Sequence, residues 1–429
     1  MNWQNLVKRA VRRAKSFRSE KKGQVAIIFG LAILPLMGFV GTAVDYARAT
    51  AVLASLNAAA DAAALNAVAK GRVTHQAPDT ATIQSFFMAS AAVNQYVTVS
   101  NFNVTTTNSA TTLYVQIDYT AQVATSFMNI FGYNQMTMTG TSKAATDLPP
   151  FVDFQLLMDN SPSMGVAGST ADITHMQNLT PDQCAFACHK KNADGTENNN
   201  DYYHLAKRNG VQLRIDLLRQ AVQNLMDTAI ASTLIPNQFR MGLYTFSDTF
   251  QTVAAVSADL ATQKTRAAAI DVAYSYQDEN DMQTSFDMAL PTMNGLMAAP
   301  GNGMTAGAPQ KFLFFVTDGV QDERASQQTG GGSYNTRVIN TLNPALCQTI
   351  KDRGIRIAVL YTPYLPLPVN GYYNAHVAPL DNTSPSGIVA RLTACSSPGF
   401  YFQISGTQSI DQAMQAMFQT AVKYARLVN

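Results

Sequence analysis

Apolar and polar positions change period several times along the chain. Val25–Val44 is an uncharged, mostly apolar run of 20 residues. As a helix it reaches about 30 Å, the thickness of a bilayer core. It predicts a retained membrane-spanning helix, because the apolar core of a cleaved signal peptide is shorter. From Asp45 to Lys70 the pattern stays helical. Leu53, Leu56, Ala60, Ala63 and Ala67 recur at three- and four-residue spacing, a narrow seam of small residues suited to close packing. The seam fits either its own domain or a partner helix, and Gly71 is a plausible stop. Thr80–Asn94 then reads as a helix. Tyr96–Thr106 and Leu113–Val123 read as a hairpin across Asn108–Thr111, with Met136–Lys143 as a third strand. In the second strand Leu113, Val115, Ile117, Tyr119, Ala121 and Val123 alternate with polar residues, so one face is buried. This small α+β stalk ends near Leu148-Pro149-Pro150.

Beyond the stalk, apolar strands alternate with helical segments. The strands are Phe151–Met158, Phe239–Phe246, Gln251–Val256, Lys311–Thr317, Gly354–Tyr361 and Phe400–Ile404. The helices are Val211–Ala231, Asp259–Tyr276, Thr284–Met297 and Ser409–Leu427. That order predicts an α/β domain, Rossmann-like and doubly wound, with a mainly parallel sheet and helices on both faces. The divisions expected are a basic arm (1–24), the membrane helix (25–44), a helix and stalk (45–149) and the α/β domain (150–429). A polar insert, 165–210, follows its first strand.

Charge adds an orientation. The net charge of +2 hides eight Lys or Arg and one Glu within Met1–Lys22, leaving about −5 on the rest. Cations next to an apolar span stay on the cytoplasmic side, so everything after Asp45 is expected outside. A nucleic-acid binder concentrates such charge on its folded domain, and no nucleic-acid partner is expected.

Two strand ends carry the chemistry. The first strand runs into Asp159-Asn160-Ser161-Pro162-Ser163, a D-x-S-x-S pattern. One carboxylate and two hydroxyls on alternate loop residues can face one small volume, and all are oxygen donors of the kind hard cations take. Lys311–Thr317 ends in Asp318-Gly319, and Thr284 opens the helix between them. Ligands of doubly wound sheets bind at the carboxyl ends of the strands, where Asp159 and Asp318 both fall. No G-x-S-x-G, H-E-x-x-H or P-loop pattern occurs, and no catalytic residue is expected.

D-x-S-x-S, then a Thr, then an Asp after a buried strand, resembles the metal-ion-dependent adhesion site of von Willebrand factor type A (vWA) domains. The resemblance covers Phe151 to about Val428. It implies that Asp159, Ser161, Ser163, Thr284 and Asp318 surround one divalent cation, Mg2+ first, with Mn2+ or Ca2+ as alternatives. It also implies that the ion takes a carboxylate from a protein partner. The N-terminus resembles TadG-type proteins of the Tad (Flp) pilus machinery. The residues that carry this are Lys22-Gly23-Gln24-Val25-Ala26-Ile27-Ile28-Phe29, Asp45-Tyr46-Ala47-Arg48 and Ala58-Ala59-Ala60-Asp61-Ala62-Ala63-Ala64-Leu65. One position departs from true prepilins: the fifth residue after Gly23 is Ile28 rather than Glu. Together the resemblances imply a single-pass protein of a bacterial inner membrane with its C-terminal domain in the periplasm. Its implied partners are pilus-assembly or pilin-like proteins, with self-association left open. The alternative is a surface adhesin that binds a host or matrix protein through the same metal site.

Four cysteines beyond the membrane suggest two disulfides in an oxidising compartment. The pairing expected is Cys184–Cys188 within the insert and Cys347–Cys395 near the sheet edge. Cys184-Ala185-Phe186-Ala187-Cys188-His189 leaves two alternatives open: zinc, with His175 and His204 nearby, and haem.

Overall fold

In the computed structural model the described residues are 21–91, 96–109, 111–274, 284–324, 337–404 and 409–427. The expected basic arm falls almost wholly outside them. The chain divides into two compact units, Met1–Asp147 and Leu148–Asn429.

The first unit is built on one helix, α1, Lys21–Thr74, which runs uninterrupted through Pro35. Its N-terminal part leaves apolar side chains bare: Leu31 is 69% exposed and Phe39 76%. No soluble core would leave such a row in water, and the helix is long and apolar enough to cross a membrane. Further on, one face closes. Leu56, Ala60, Ala63 and Ala67 of the small-residue seam are buried, against a sheet of the same unit. That antiparallel sheet is formed by β1 (Val97–Asn108), β2 (Thr112–Ala124) and β3 (Gln135–Asp147), in that order. The alternating residues of β2, from Leu113 to Val123, are all buried. Small seam residues let the polar neighbours reach across. The Tyr119 hydroxyl donates to Asn57 Oδ1 at 2.7 Å, and Ser142 Oγ to Asp61 at 2.6 Å. Helix α2, Thr80–Ser90, is capped by Asp79 and buries Ile83 and Phe87. Phe87 packs on Phe102 and Tyr119 at 5.0 and 5.4 Å between ring centres.

Between β2 and β3 a 3-10 turn, Met128–Phe131, lies against α1. The Asp45 carboxylate fixes it by accepting from the backbone N–H groups of Ser126, Phe127 and Met128 at 2.7–2.9 Å. Gly38 and Gly41 make room for it. A Cβ on Gly41 would come within 2.5 Å of Phe127 Cβ, and one on Gly38 within 3.1 Å of Phe131.

The second unit holds a six-stranded sheet in the order β11-β10-β7-β4-β5-β6. Its strands are β4 (Val152–Asp159), β5 (Phe239–Phe246), β6 (Phe250–Ser257), β7 (Gln310–Thr317), β10 (Arg356–Tyr361) and β11 (Tyr401–Gln403). All neighbours are parallel except β5 and β6. Every residue of β4 is buried, including the polar Asp153 and Gln155; Asp153 is paired there with Arg240 and Lys311, as a buried charge requires. Phe154, Phe312, Phe314 and Phe418 cluster about the strand. The chain leaves β4 for β5 on one side and returns later to β7 on the other. The carboxyl ends of β4 and β7 therefore flank a topological switch point. A hairpin of β8 (Val320–Arg324) and β9 (Arg337–Thr341) extends from that end of β7.

The helix expected over Asp259–Tyr276 is shorter. It runs only from Leu260 to Arg266 and gives way to a 3-10 turn, Ala267–Ala269. The alanines favour helix, but Ile270 and Val272 are drawn into the core. The backbone there is tied to Asn160 instead, with Ala273 N–H donating to the Asn160 carbonyl at 2.8 Å. Tyr276 lies outside the described residues.

Candidate metal centre

Asp159 ends β4 and is buried, as is Ser161. The loop turns at once into a 3-10 helix, Pro162–Gly165, with Pro162 in its first turn, where fixed φ and a missing N–H suit proline. The turn folds the two hydroxyls back. Ser161 Oγ donates to Asp159 Oδ1 at 2.6 Å and lies 2.9 Å from Ser163 Oγ, and the Ser161 N–H also reaches Asp159 Oδ1. From β7, the Thr317 hydroxyl donates to Asp159 Oδ2 at 2.9 Å.

Asp318 follows and is buried. Gly319 makes the turn with φ of +81°, and a side chain there would meet Ile388 at 2.3 Å. Asp318 Oδ1 accepts from the Val320 N–H at 3.2 Å. Asp318 Oδ2 accepts no hydrogen bond among the described residues. The nearest cation is Arg214, with Nη1 at 3.6 Å. Burial first, and the charge of Asp318 second, raise the Asp159 pKa from the usual carboxylate range to about 7. Two buried carboxylates that repel each other, one with a bare oxygen, fit a hard cation.

Thr284 enters from another direction. It forms an isolated antiparallel bridge with Asp322 of β8 and is buried. Ser285 beside it caps helix α7, Phe286–Leu296, by accepting from the Met288 N–H. Thr284 and Ser163 line one cavity of about 570 Å3. The insert supplies another wall of that cavity through Cys184, Phe186, Lys190 and Asp201, and Tyr364 and Tyr372 complete it. The insert holds this place by pairing at both ends, Val166 with Phe186 and Ala167 with Leu213. Asp248 is exposed in the β5–β6 turn, against Ser247.

Sequence reasoning missed Arg214. It opens helix α5, Arg214–Ser232, and its side chain is buried. The guanidinium donates to the carbonyl and, at 2.8 Å, the hydroxyl of Thr362, reaches the Ser163 carbonyl at 3.5 Å, and stacks over Tyr364 at 4.9 Å. A cation in the first turn of a helix opposes the helix dipole, and that misplaced sign is the trace it leaves in the sequence.

The expected Cys184–Cys188 bond is not formed; both are free thiols. Ala185 and Ala187 pair with the strand-like stretch Gly165–Ala167. Burial pushes the Cys188 thiol up to about 12. Cys347 and Cys395 are bonded to each other, 48 residues apart in sequence. His175 is exposed on helix α3, Thr170–Leu179, away from His189 and His204, which come together.

Residues 23–70 match the model of the Tad family, Flp pilus-assembly TadE/G-like. The chain resembles a TadG-like pilus-assembly protein. No curated protein matches the chain in sequence. Among solved structures it is similar to BatB from Bacteroides thetaiotaomicron, at 13% identity and a TM-score of 0.33, covering 64% of this chain and 99% of that one. It is also similar to the vWF domain of the type V pili tip protein Mfa5 from Porphyromonas gingivalis, at 10% identity and a TM-score of 0.35, covering 65% and 97%. A third is proximal thread matrix protein 1 from the mussel byssus with a zinc-occupied MIDAS motif, at 12% and 0.35, covering 64% of this chain and 46% of that one.

Proposed function

We propose that this chain is a membrane-anchored periplasmic vWA protein that helps assemble or anchor a Tad-type pilus by metal-dependent protein binding. The observation that carries the reading is the buried pair Asp159 and Asp318, one oxygen unsatisfied, at the switch point of the sheet and beside a cavity walled by Ser163 and Thr284. Ser161 and Ser163 would hold a divalent cation directly, with Thr284, Asp159 and Asp318 binding directly or through water. When bound, the ion supplies a coordination position for a partner's carboxylate. The chain's own part is to fix the donors in place. The Thr317 hydroxyl and the Ser161 N–H orient Asp159. Arg214 steadies the loop through the Ser163 carbonyl and takes part of the charge of Asp318.

The N-terminal resemblance supplies the setting. The eight Lys or Arg of Met1–Lys22 support a cytoplasmic N-terminus and a periplasmic second unit. The test is an affinity pull-down from detergent-solubilised membranes, with Mg2+ and with EDTA, using the full chain and Asp159→Ala. Pilus-assembly proteins should be captured with Mg2+ and lost with EDTA and in the variant. Equal capture under all conditions would show that the metal centre plays no part in binding.

A further inference from the structure

A second cluster of ligating side chains lies in the insert, apart from the carboxylate pair. His189 Nε2 and His204 Nε2 each lie 3.2 Å from the same atom, Glu197 Oε1. Asp201 stands behind them. Its Oδ1 is 2.7 Å from His204 Nδ1, and its other oxygen accepts from the Lys190 N–H at 2.7 Å. His189 is held flat against Tyr203, with ring centres 3.9 Å apart.

The hydrogen bonds decide the tautomer. If His204 gives its Nδ1 proton to Asp201, Nε2 of the neutral ring presents a lone pair to Glu197. Two acceptors then face each other at 3.2 Å, an arrangement that a shared cation relieves. A metal-bound histidine backed by a carboxylate is a recurrent device that orients the ring. The spacing suits zinc: bonds of 2.0–2.1 Å in a tetrahedron put neighbouring donors about 3.3 Å apart. Two imidazoles are borderline donors, and beside a single carboxylate they favour zinc over Mg2+ or Ca2+.

We propose that His189, His204 and Glu197 form a zinc site in the insert, oriented by Asp201. The neighbouring thiols take no part, although the Cys-x-x-x-Cys-His spacing draws attention to them. Glu197 sits across from Lys191 in a short bridge, and His204 lies on helix α4, Tyr202–Arg208. The ion would therefore clip that hairpin to the helix. Lys190 and Asp201 belong to both this cluster and the wall of the cavity beside Ser163, so the clip would brace one side of the adhesion site.

Co2+ is the probe. The full chain in detergent, stripped with a chelator and dialysed, is titrated with Co2+ and followed by visible absorption, with bound metal counted by mass spectrometry. A site with nitrogen donors and few ligands gives intense d–d bands, whereas an all-oxygen octahedral site gives weak ones. The bands should appear at one equivalent, persist in Asp159→Ala, and vanish in Glu197→Gln and His204→Gln. Asp201→Asn should weaken binding about 10- to 100-fold. Glu197 is half exposed, so its variant keeps the test valid if His204→Gln fails to fold. Absence of intense bands in the stripped wild-type chain, as for a merely protonated His204, would overturn the proposal. So would their persistence in Glu197→Gln. Because Asp159→Ala removes only the first centre, failure of this site and failure of the adhesion site are read separately.

Discussion

Asp159 is an unfavourably placed charge, buried beside a second carboxylate. Its folded-state pKa lies near 7, raised by burial and then by Asp318, against about 3.9 in an unfolded chain. The sign follows from linkage. Without a cation, the stabilising proton is fully bound below the unfolded value and is lost as pH rises through the folded one. Cation-free protein should therefore lose stability between about pH 4 and pH 7. Mg2+ should restore it most above pH 7, where Asp159 has lost its proton. Asp159→Asn removes the repulsion and one ligand together. It should leave the cation-free protein as stable or more stable, by about 1–3 kcal/mol at pH 7.5, and abolish the shift caused by Mg2+. Thermal unfolding of both proteins across pH, with and without Mg2+, checks this. Arg214 belongs to the same balance: its cation lies 3.6 Å from Asp318 and is paired to Thr362, so it relieves the charge without filling the site.

At the scale of elements, two connections outside the metal loop can be tested. Cys347 on helix α8, Pro344–Lys351, is bonded to Cys395 at the end of helix α9, Ile388–Cys395. A loop of 48 residues closed by this bond corresponds to about 4 kcal/mol of restricted unfolded chain. Cys347→Ala with Cys395→Ala should lower the urea midpoint accordingly, with a steeper denaturant slope because the unlinked unfolded chain exposes more surface. The second connection is the turn Met128–Phe131. Ile130 is 78% exposed and Tyr133 65%, and the turn packs on α1 at Gly38 and Gly41, within the apolar span. These side chains should sit in the outer membrane interface, where aromatic residues gather. In a Trp3→Phe background, Phe131→Trp in nanodiscs should be strongly quenched by brominated lipids, and a tryptophan at exposed Tyr114 should not.

Elements were legible where a single physical pattern governed them. The alternation of β2 and the apolar run Phe312–Val316 of β7 each have one explanation, a half-buried or a fully buried strand. The D-x-S-x-S loop was legible because its oxygen-bearing residues sit within five residues of a strand end. Thr317 was not singled out, because a β-branched residue closing a strand needs no further reason. Arg214 contacts Asp318 across 104 positions of chain, which no local pattern records. In the insert the cysteine spacing was the strongest visible signal, yet both thiols are free and a later helix brings His204 to His189. The over-long helix from Asp259 failed because tertiary pairing overrode alanine's preference.

The whole molecule inherits a mechanical property from its first helix. α1 continues unbroken from the apolar span into the seam that carries the sheet. About 45 Å of it extends beyond the span. Asp45 pins the turn between β2 and β3 to α1 just past the span's end, where a flexible leash would otherwise fit. The stalk is thus a rod with a collar rather than a tether. Rolling or tilting of the helix within the lipid would swing the stalk sheet as one piece, so torque applied at the bilayer reaches the far end of the stalk without slack.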